Sequence, residues 1–349
     1  VSQRKKNRQT YDGNVVLSAS QLLFDGSFFV GLQAAKTVRE LSSKEHIKTQ
    51  IDVAEAVSKA YYNALVNEER LELLEVNFNR LDTLLRETKA LNESGFAEKI
   101  DVNRVQVQYN NLKVQLDRTE QLLRLSKDLL KYQMGMKISN DIVLTDRLDE
   151  VDFAVVEKNN FSYNERIEYS QLQTNLTLVN LDMKNNKVQY LPSLYASFNY
   201  GYNTNAGETS VLFDGDRWLN FGTLGLSLNL PIFDGFIKRS RIQRNKIQAK
   251  QIQESFTLLE NSIDIEIEQA RIDLSNAIEN MVAQRENTDL AEEIYNVSKI
   301  KYEEGVGSSL EVTNADADYK EAQTNYYDAL YSALIAKIEL EKAYGVLIK

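Results

Sequence analysis

The chain has 349 residues, a formal net charge of −10, two prolines, 14 glycines, one histidine and no cysteine. The negative charge disfavours a nucleic-acid partner, and the lack of cysteine excludes disulfides and thiolate metal sites. So few prolines and glycines leave most of the chain without helix breakers, which favours long helices. No apolar segment reaches the roughly 18 residues of a transmembrane helix, whereas short alternating strands stay compatible with a membrane β-barrel.

A strand is the first regular element that the sequence predicts. Apolar and polar side chains alternate over residues 14–24, and the pattern ends at the turn Phe24-Asp25-Gly26. The basic segment before it, residues 1–13, is typical of a solvated loop, and binding to anionic lipid headgroups is the alternative. Its basic residues are Arg4, Lys5, Lys6 and Arg8.

Two long helices are predicted after this turn. Large apolar residues recur over residues 71–85 with the spacing of a coiled-coil seam. A helix over about 27–93 would be on the order of 100 Å long. It ends at the stop signal Asn92-Glu93-Ser94-Gly95, and a return helix is predicted over about 98–135.

The same order recurs in the second part of the chain. Strict alternation predicts strands over about Leu194–Asn203 and Leu224–Ile232. The second strand ends with Pro231 in Pro231-Ile232-Phe233-Asp234-Gly235, where a ladder donor is not needed. Leu22 stands where this proline would be in the first copy, which predicts a less sharply defined first strand–helix joint. The helices predicted in this part run over about 164–190, about 236–304 and from there to Tyr344-Gly345.

Glycines at a constant spacing indicate an internal duplication. Gly26 and Gly235 are 209 residues apart, whereas Gly95 and Gly305, like Gly135 and Gly345, are 210 apart. Three landmarks at one offset predict a duplicated unit of about 210 residues. The first-copy partners of the second-copy strand and helix would lie before Val1, so the front of the first repeat is expected to be missing.

Strands attached to very long helices constrain the assembly. Tyr200, Tyr202 and Trp218 lie where an interfacial aromatic girdle would be, together with Phe198 on the same strand face. So few strands cannot close a barrel alone, and open edges are not tolerated in hydrocarbon. If the strands are in a membrane, several subunits must share one barrel, and a barrel joined to a helical tube is a conduit.

These motifs resemble the TolC family of trimeric outer-membrane efflux proteins. The resemblance covers nearly the whole chain in family order, and its marks are Leu191-Pro192-Ser193-Leu194, Leu230-Pro231-Ile232-Phe233-Asp234-Gly235, and Tyr302-Glu303-Glu304-Gly305 leading to Leu310-Glu311-Val312. It implies an α+β membrane protein, with long coiled-coil helices in a periplasmic helical barrel and a short transmembrane β-barrel shared by a trimer.

The resemblance also implies the domain organisation. The expected parts are a loop and barrel strand of the first repeat (1–26), its long helical hairpin (27–136), an equatorial connector (137–163), a helix that opens the second repeat (164–190), a β-hairpin of the barrel (191–235), and the second long helical hairpin with the equatorial end (236–349).

The functional residues that the resemblance implies lie at the helical tips and at the strand–helix joints. Asp101 and Glu311 each stand six residues after a tip glycine, so threefold symmetry would make two carboxylate rings, which select cations. The same acids also complement helix dipoles. The expected pore constriction is Asp101, Glu311, Asn314 and Tyr302; the adaptor-binding tips are Gly95, Phe96, Gly305, Val306, Gly307 and Ser308; the joints are Phe24, Asp25, Gly26, Pro231, Phe233, Asp234 and Gly235.

Two positions depart from the family pattern, because Asn314 stands in place of an acid and Gly307 in place of a basic residue.

The implied function is a passive outer-membrane exit duct of a tripartite efflux or type I secretion system. Its expected partners are two further copies, a periplasmic adaptor, an inner-membrane RND or ABC transporter and outer-membrane lipid, with no cofactor or metal. The alternative is a soluble coiled-coil scaffold. His46 lies mid-helix without a nucleophile partner, so no enzyme is expected.

Overall fold

A computed structural model describes residues 11–146, 148, 153, 161–206 and 213–348. The basic residues at 4–8 and the acidic connector residues Asp149, Glu150 and Asp152 lie outside the described residues. In chain order the elements are β1 (Tyr11–Phe24), α1 (Gly26–Glu93), α2 (Lys99–Gln133), α3 (Ile167–Val188), β2 (Ser193–Ala206), β3 (Leu219–Asn229), α4 (Ile237–Glu303) and α5 (Ser309–Ala343). Single 3-10 turns occur at Tyr163–Glu165 and Gly215–Arg217.

The chain divides into two compact units. One consists of Val1–Ser43 and Gln171–Phe256, and the other of Lys44–Ser170 and Thr257–Lys349. Because α1, α3 and α4 each pass from one unit to the other, the sheet and the helix segments next to it form the first unit. The helical hairpins and their connections form the second.

The first unit contains an antiparallel sheet in the order β1-β2-β3. Cross-strand neighbours Leu17, Tyr200 and Gly222 lie on one face, and Ser18, Asn199 and Thr223 lie on the other. The first face is almost entirely apolar, and its side chains are strongly exposed, with Leu17 at 71% and Leu224 at 80%. The sheet therefore has an uncovered apolar face and a polar face.

The predicted end of the second-copy hairpin is wrong by three residues. We expected the strand to reach Ile232, but β3 ends at Asn229. Asn229 pairs with Ser193, the first residue of β2, so later residues have no partner strand. Pro231 lies beyond the ladder, where its missing N–H costs no hydrogen bond.

The two strand–helix joints differ, in the opposite sense to the prediction. In the first joint only Asp25 separates β1 from α1, and its Oδ1 accepts a 2.7 Å hydrogen bond from the Ser27 N–H. The second joint takes residues 230–236, with φ of +64° at Gly235 and +65° at Phe236. Gly26 serves close packing instead, because a Cβ there would lie 2.9 Å from the Val188 Cβ.

Apolar seams at heptad spacing hold the second unit together, as predicted. Leu74, Leu81 and Leu85 of α1 are buried against Val105 and Leu112 of α2. A separate cluster joins the two helices of the second hairpin and consists of Ile263, Ile267, Ala270, Leu274, Ala336, Leu340, Ala343 and Tyr344. These contacts make each hairpin an antiparallel coiled coil.

The duplication is visible in the backbone. Gly95, Gly135, Gly305 and Gly345 all have φ between +67° and +80°. At each of the four, the following N–H bonds to a carbonyl five residues back, as in Phe96 to Leu91 at 2.8 Å and Val306 to Lys301 at 3.0 Å. These are Schellman motifs, which end a helix with a left-handed residue. No helix within the described ranges is both long and apolar enough to span a bilayer.

Candidate functional site

The tips of the two hairpins have the same turn but different side chains. In both, a glycine ends the long helix and a polar residue caps the return helix: Glu98 for α2 and Ser308 for α5. Phe96 and Val306 follow the two glycines and are 83% and 79% exposed. Each tip therefore presents one large apolar side chain to its surroundings.

Gly307 has a structural reason to be glycine. Its N–H donates to the Lys301 carbonyl at 2.9 Å. A Cβ at this position would lie 2.9 Å from the Lys301 Cβ and 3.1 Å from its carbonyl carbon. Gly307, where the resemblance led us to expect a basic residue, thus lies in a tightly folded turn.

Asp101 lies at the contact between the two hairpins. Its Oδ1 accepts hydrogen bonds from the Ser309 hydroxyl and from Arg104 Nη1, the latter at 3.3 Å. Its Oδ2 accepts from the Glu98 N–H at 3.3 Å, which completes a capping box. Arg104 also donates to Ser309 Oγ at 3.2 Å. We call Asp101, Arg104 and Ser309 the Asp101 cluster; it joins α2 to α5.

Tyr302 lies next to this cluster. Burial raises the pKa of the Tyr302 hydroxyl, and the negative charge of Asp101 raises it further. The phenol is therefore neutral at physiological pH. Tyr302 and Asp101 also line the same small cavity, beside Ser309 and Val312. The structure thus brings together two of the four residues expected at the constriction.

Glu311 and Asn314 have different surroundings from Asp101. Both side chains are exposed. The backbone N–H of Glu311 donates to the Ser308 hydroxyl at 3.2 Å, which confirms its place in the first turn of α5. Asp101 and Glu311 are equivalent in the repeat, yet Asp101 is engaged in contacts within the chain and Glu311 points to an open surface.

The predictions made from the sequence did not include a buried polar cluster near the tips. The Arg80 guanidinium lies 4.5 Å from the centre of the Tyr295 ring and 3.3 Å from Asp316 Oδ1. The Asp316 side chain is only 8% exposed and also pairs with Lys320. The Tyr319 ring stacks on Tyr295 at 6.2 Å. We call these residues the Arg80 cluster; it links α1 to both helices of the second hairpin.

A sequence signal for this cluster exists. Val312, Asp316, Tyr319 and Gln323 follow the same 4-3-4 spacing as the apolar seams, and all four are buried. Polar residues at buried seam positions must be paired. Gln323 Oε1 accepts a 3.1 Å hydrogen bond from Asn77 Nδ2, so a second polar pair crosses the same contact.

The aromatic residues expected in a girdle lie along one strand face. Phe198, Tyr200 and Tyr202 are 44%, 39% and 44% exposed. Trp218 directly precedes Leu219, which pairs with Asn203, so Trp218 and Tyr202 lie near the same end of the sheet. Phe198 lies nearer the middle, because it pairs with Leu224. Among the described residues, no group of histidine and acidic side chains could hold a metal ion.

The family model described as outer membrane efflux protein matches residues 169–346. The outer membrane protein TolC of Vibrio cholerae serotype O1 is 20% identical to this chain over 337 residues, covering 95% of the chain and 76% of the relative. The probable efflux pump outer membrane protein TtgC of Pseudomonas putida is 24% identical over 344 residues, covering 96% and 69%.

Solved structures share the fold. The structure of CusC superposes with a TM-score of 0.75 at 14% identity, covering 97% of this chain and 83% of the other. The open-state MtrE outer membrane channel of Neisseria gonorrhoeae superposes with a TM-score of 0.73 at 16% identity, covering 97% and 81%. The architecture is therefore that of a known channel fold.

Proposed function

The chain belongs to the outer membrane efflux protein family, and from this membership we propose how it assembles and opens. It is an exit duct of an efflux system in the Gram-negative outer membrane, and it extends into the periplasm. The family consists of channel proteins rather than enzymes. We propose that three copies form one channel, with a shared transmembrane β-barrel above a periplasmic helical barrel.

The observation that carries this assembly is the sheet in the first unit. Its apolar face is uncovered, with Leu224, Leu226 and Leu228 at 80%, 73% and 67% exposure. In the order β1-β2-β3, the outer edges of β1 and β3 have no partner strand among the described residues. Hydrocarbon does not tolerate unpaired edges, and we propose that the outer edge of β3 pairs with a strand of another subunit. Lipid then covers the apolar face.

The gate is proposed at the tips. The exposed Glu311 carboxylates of three subunits form a ring that attracts cations, with Asn314 one turn further along α5. The Asp101 cluster instead holds the two hairpins of one subunit together, with Tyr302 packed beside it. Opening separates the tips by tilting packed helices, a shear motion of the kind that packed elements allow.

The exposed side chains at the tips support one of the proposed partners. The exposed Phe96 and Val306, with the glycines Gly95, Gly305 and Gly307 and the cap Ser308 around them, form the docking surface for a periplasmic adaptor. The duct itself carries no energy source, so an inner-membrane RND or ABC transporter drives the cargo. The aromatic girdle at the membrane interface is proposed for Tyr200, Tyr202 and Trp218, with Phe198 further along the same strand face.

The assembly is tested by purifying the chain in detergent and measuring its mass by light scattering. A trimer that resists heat and conducts ions in a planar bilayer is expected. A monodisperse monomer that needs no detergent would overturn the assembly and favour the soluble coiled-coil scaffold.

The gate is tested by single-channel block with divalent cations. Glu311→Gln should raise the blocking concentration severalfold, because it removes three charges from one ring. Glu304→Gln makes the same charge change at an exposed tip position and should leave block unchanged. Equal effects of the two variants would place the constriction elsewhere.

A further inference from the structure

The first turns of α4 carry a dense group of positive charges. Between Asp234 and Glu254 the sequence has no acidic residue, in a chain whose net charge is −10. Lys238 pairs with Asp234 at 3.5 Å and lies over the Tyr190 ring. The other cations of this segment, which we call the cationic surface, are Arg239, Arg241, Arg244, Lys246 and Lys250.

All five side chains of the cationic surface are exposed. Within the described part of the chain, no residue forms an ion pair, hydrogen bond or ring contact with any of them. Asn245, in the middle of the segment, is buried through hydrogen bonds with Asp182 and Asn186 of α3. One side of the helix is therefore fixed against α3 while the cations surround its remaining surface.

Large apolar side chains adjoin these cations. Ile232, Phe233, Phe236 and Ile237, between the end of β3 and the start of α4, are 92%, 75%, 62% and 55% exposed. The open surface along this part of α4 carries both kinds of residue, among them Phe236, Arg239, Arg244 and Ile247. The surface thus passes from apolar to cationic within a few turns of helix.

The cationic surface is not part of the duplicated pattern. At the 209-residue offset of the two joints, its five positions correspond to Val30, Leu32, Ala35, Thr37 and Leu41 of α1. The first copy thus builds the same helix start without any of these charges. Helix formation does not require them, which indicates a separate role.

We propose that the cationic surface binds the headgroups of anionic phospholipids. The inference rests on the membrane position that the proposed function gives to the sheet. Apolar side chains followed by clustered Lys and Arg match the boundary between acyl chains and phosphates, and basic clusters next to a membrane segment attract anionic lipid. The arginines can pair with phosphate oxygens through two hydrogen bonds.

A second copy of the chain fits this surface less well. In the same unit, residues 26–43 of α1 contain one acid, Glu40, against the bases Lys36 and Arg39. Residues 171–190 contain one acid, Asp182, against Lys184 and Lys187. Neither helical segment offers the negative charge that five cations would require, whereas an anionic leaflet offers it continuously.

The test is native mass spectrometry of the full chain in a neutral detergent, titrated with phosphatidylglycerol or with phosphatidylcholine of the same acyl chains. We expect at least tenfold tighter binding of phosphatidylglycerol. Changing all five cations to glutamine should abolish this preference. A control that changes exposed cations elsewhere, also three arginines and two lysines, should keep it: Lys113, Lys137, Arg118, Arg124 and Arg285 to glutamine.

Further measurements identify what binds to the cationic surface. Arg239→Lys with Arg241→Lys and Arg244→Lys keeps the charge and should keep at least part of the preference. Inorganic phosphate at the lipid concentration should not displace phosphatidylglycerol. The proposal is overturned if the unchanged protein binds the two lipids with equal affinity. It is also overturned if the control variant loses the lipid preference as fully as the five-glutamine variant, or if phosphate displaces phosphatidylglycerol. A changed oligomeric mass with unchanged lipid preference also overturns it and assigns the surface to a subunit contact.

The outcome is separable from that of the proposed function. If the chain conducts no ions in a planar bilayer but still prefers phosphatidylglycerol through these residues, the channel assembly fails and the lipid surface stands. If it conducts as a trimer and shows no lipid preference, the lipid surface fails and the channel assembly stands.

Discussion

Gly95 and Gly305 end α1 and α4 in the left-handed backbone region, at φ of +80° and +75°. Nothing lies within 4 Å of a Cβ built at either position, so space does not restrict a substitution there. The restriction is conformational, because a residue with a Cβ rarely adopts this φ. The tips therefore depend on glycine for their backbone conformation rather than for close packing.

Gly305→Ala should destabilise the protein by about 1 kcal/mol, since alanine at positive φ is strained. Gly31→Ala is the matched control: Gly31 is exposed inside α1 with free space around it, and alanine should stabilise the helix by about 0.5–1 kcal/mol. Denaturant unfolding in detergent measures both. A Gly305→Ala variant as stable as Gly31→Ala would show that the tip tolerates another conformation.

At the scale of elements, buried polar contacts connect α1 to α5, which an apolar cluster around Leu65 and Leu334 also joins. Arg80 of α1 reaches Asp316 of α5, whose side chain is almost fully buried. A buried charge that loses its partner is costly, whereas removing both members can be nearly neutral. We therefore expect the Arg80 cluster to make the pairing of the two hairpins more specific.

A double-mutant cycle tests this coupling. Arg80→Met alone should cost about 1–3 kcal/mol, with Lys320 still compensating Asp316, and adding Asp316→Leu should recover part of the loss. The exposed pair Arg86 and Asp82, at 72% and 37% exposure, is the control. Its coupling should stay below about 1 kcal/mol. Equal couplings in unfolding experiments would contradict a special role for the buried pair.

A second group of ions connects α1 to α5 further from the tips. Glu55 accepts from Lys342 at 2.6 Å and pairs with Lys59 at 2.9 Å, and Lys59 also pairs with Glu339. Burial opposes ionisation of Glu55, but the hydrogen bonds from Lys342 and Lys59 outweigh it, so the pKa of Glu55 is lowered. A lowered folded-state pKa gives stability that is present at neutral pH.

This stability should disappear as the pH falls from the ordinary Glu pKa of 4.5 through the lowered value in the folded state. Glu55→Gln should lower the melting temperature at pH 7 and flatten its decrease below pH 4.5. Glu45→Gln, an exposed change on the same helix, should do neither. Melting curves recorded from pH 3 to 7 decide this, and parallel curves for wild type and Glu55→Gln would refute it.

At the scale of the whole molecule, the sheet has two faces with different demands. Leu224 and Thr223 are neighbours on β3, and their side chains lie on opposite faces. In the proposed trimer the apolar face contacts lipid and the polar face lines the water-filled lumen. Neighbouring positions should therefore respond very differently to the same charge.

Leu224→Lys should strongly reduce the amount of trimer in the membrane, because a lysine facing lipid near the bilayer centre costs about 2–4 kcal/mol. Thr223→Lys should be tolerated and change only conductance. Quantifying heat-resistant trimer from isolated membranes distinguishes them. If both variants assemble equally well, the face containing Leu224 is not exposed to lipid.

Most of the architecture could be predicted because its signals are local. Alternation located the strands, heptad spacing located the seams around Leu74 and Ile267, and glycine marked the helix ends. The end of β3 could not be predicted locally, since Leu230 and Ile232 continue the alternation but β2 has no residue left to pair with them. The joints were misjudged for the same reason: contacts with another element decide them.

The sequence by itself determined the duplication, the long hairpins and the four Schellman turns, because periodicity and backbone conformation are properties of short segments. Only the tertiary structure decided which polar side chains meet. Asp101 and Glu311 occupy equivalent positions in the repeat, yet the first contacts Ser309 and Arg104 while the second is exposed. Arg80 and Asp316 are 236 residues apart. Their pairing depends on how the hairpins pack, which no local pattern records.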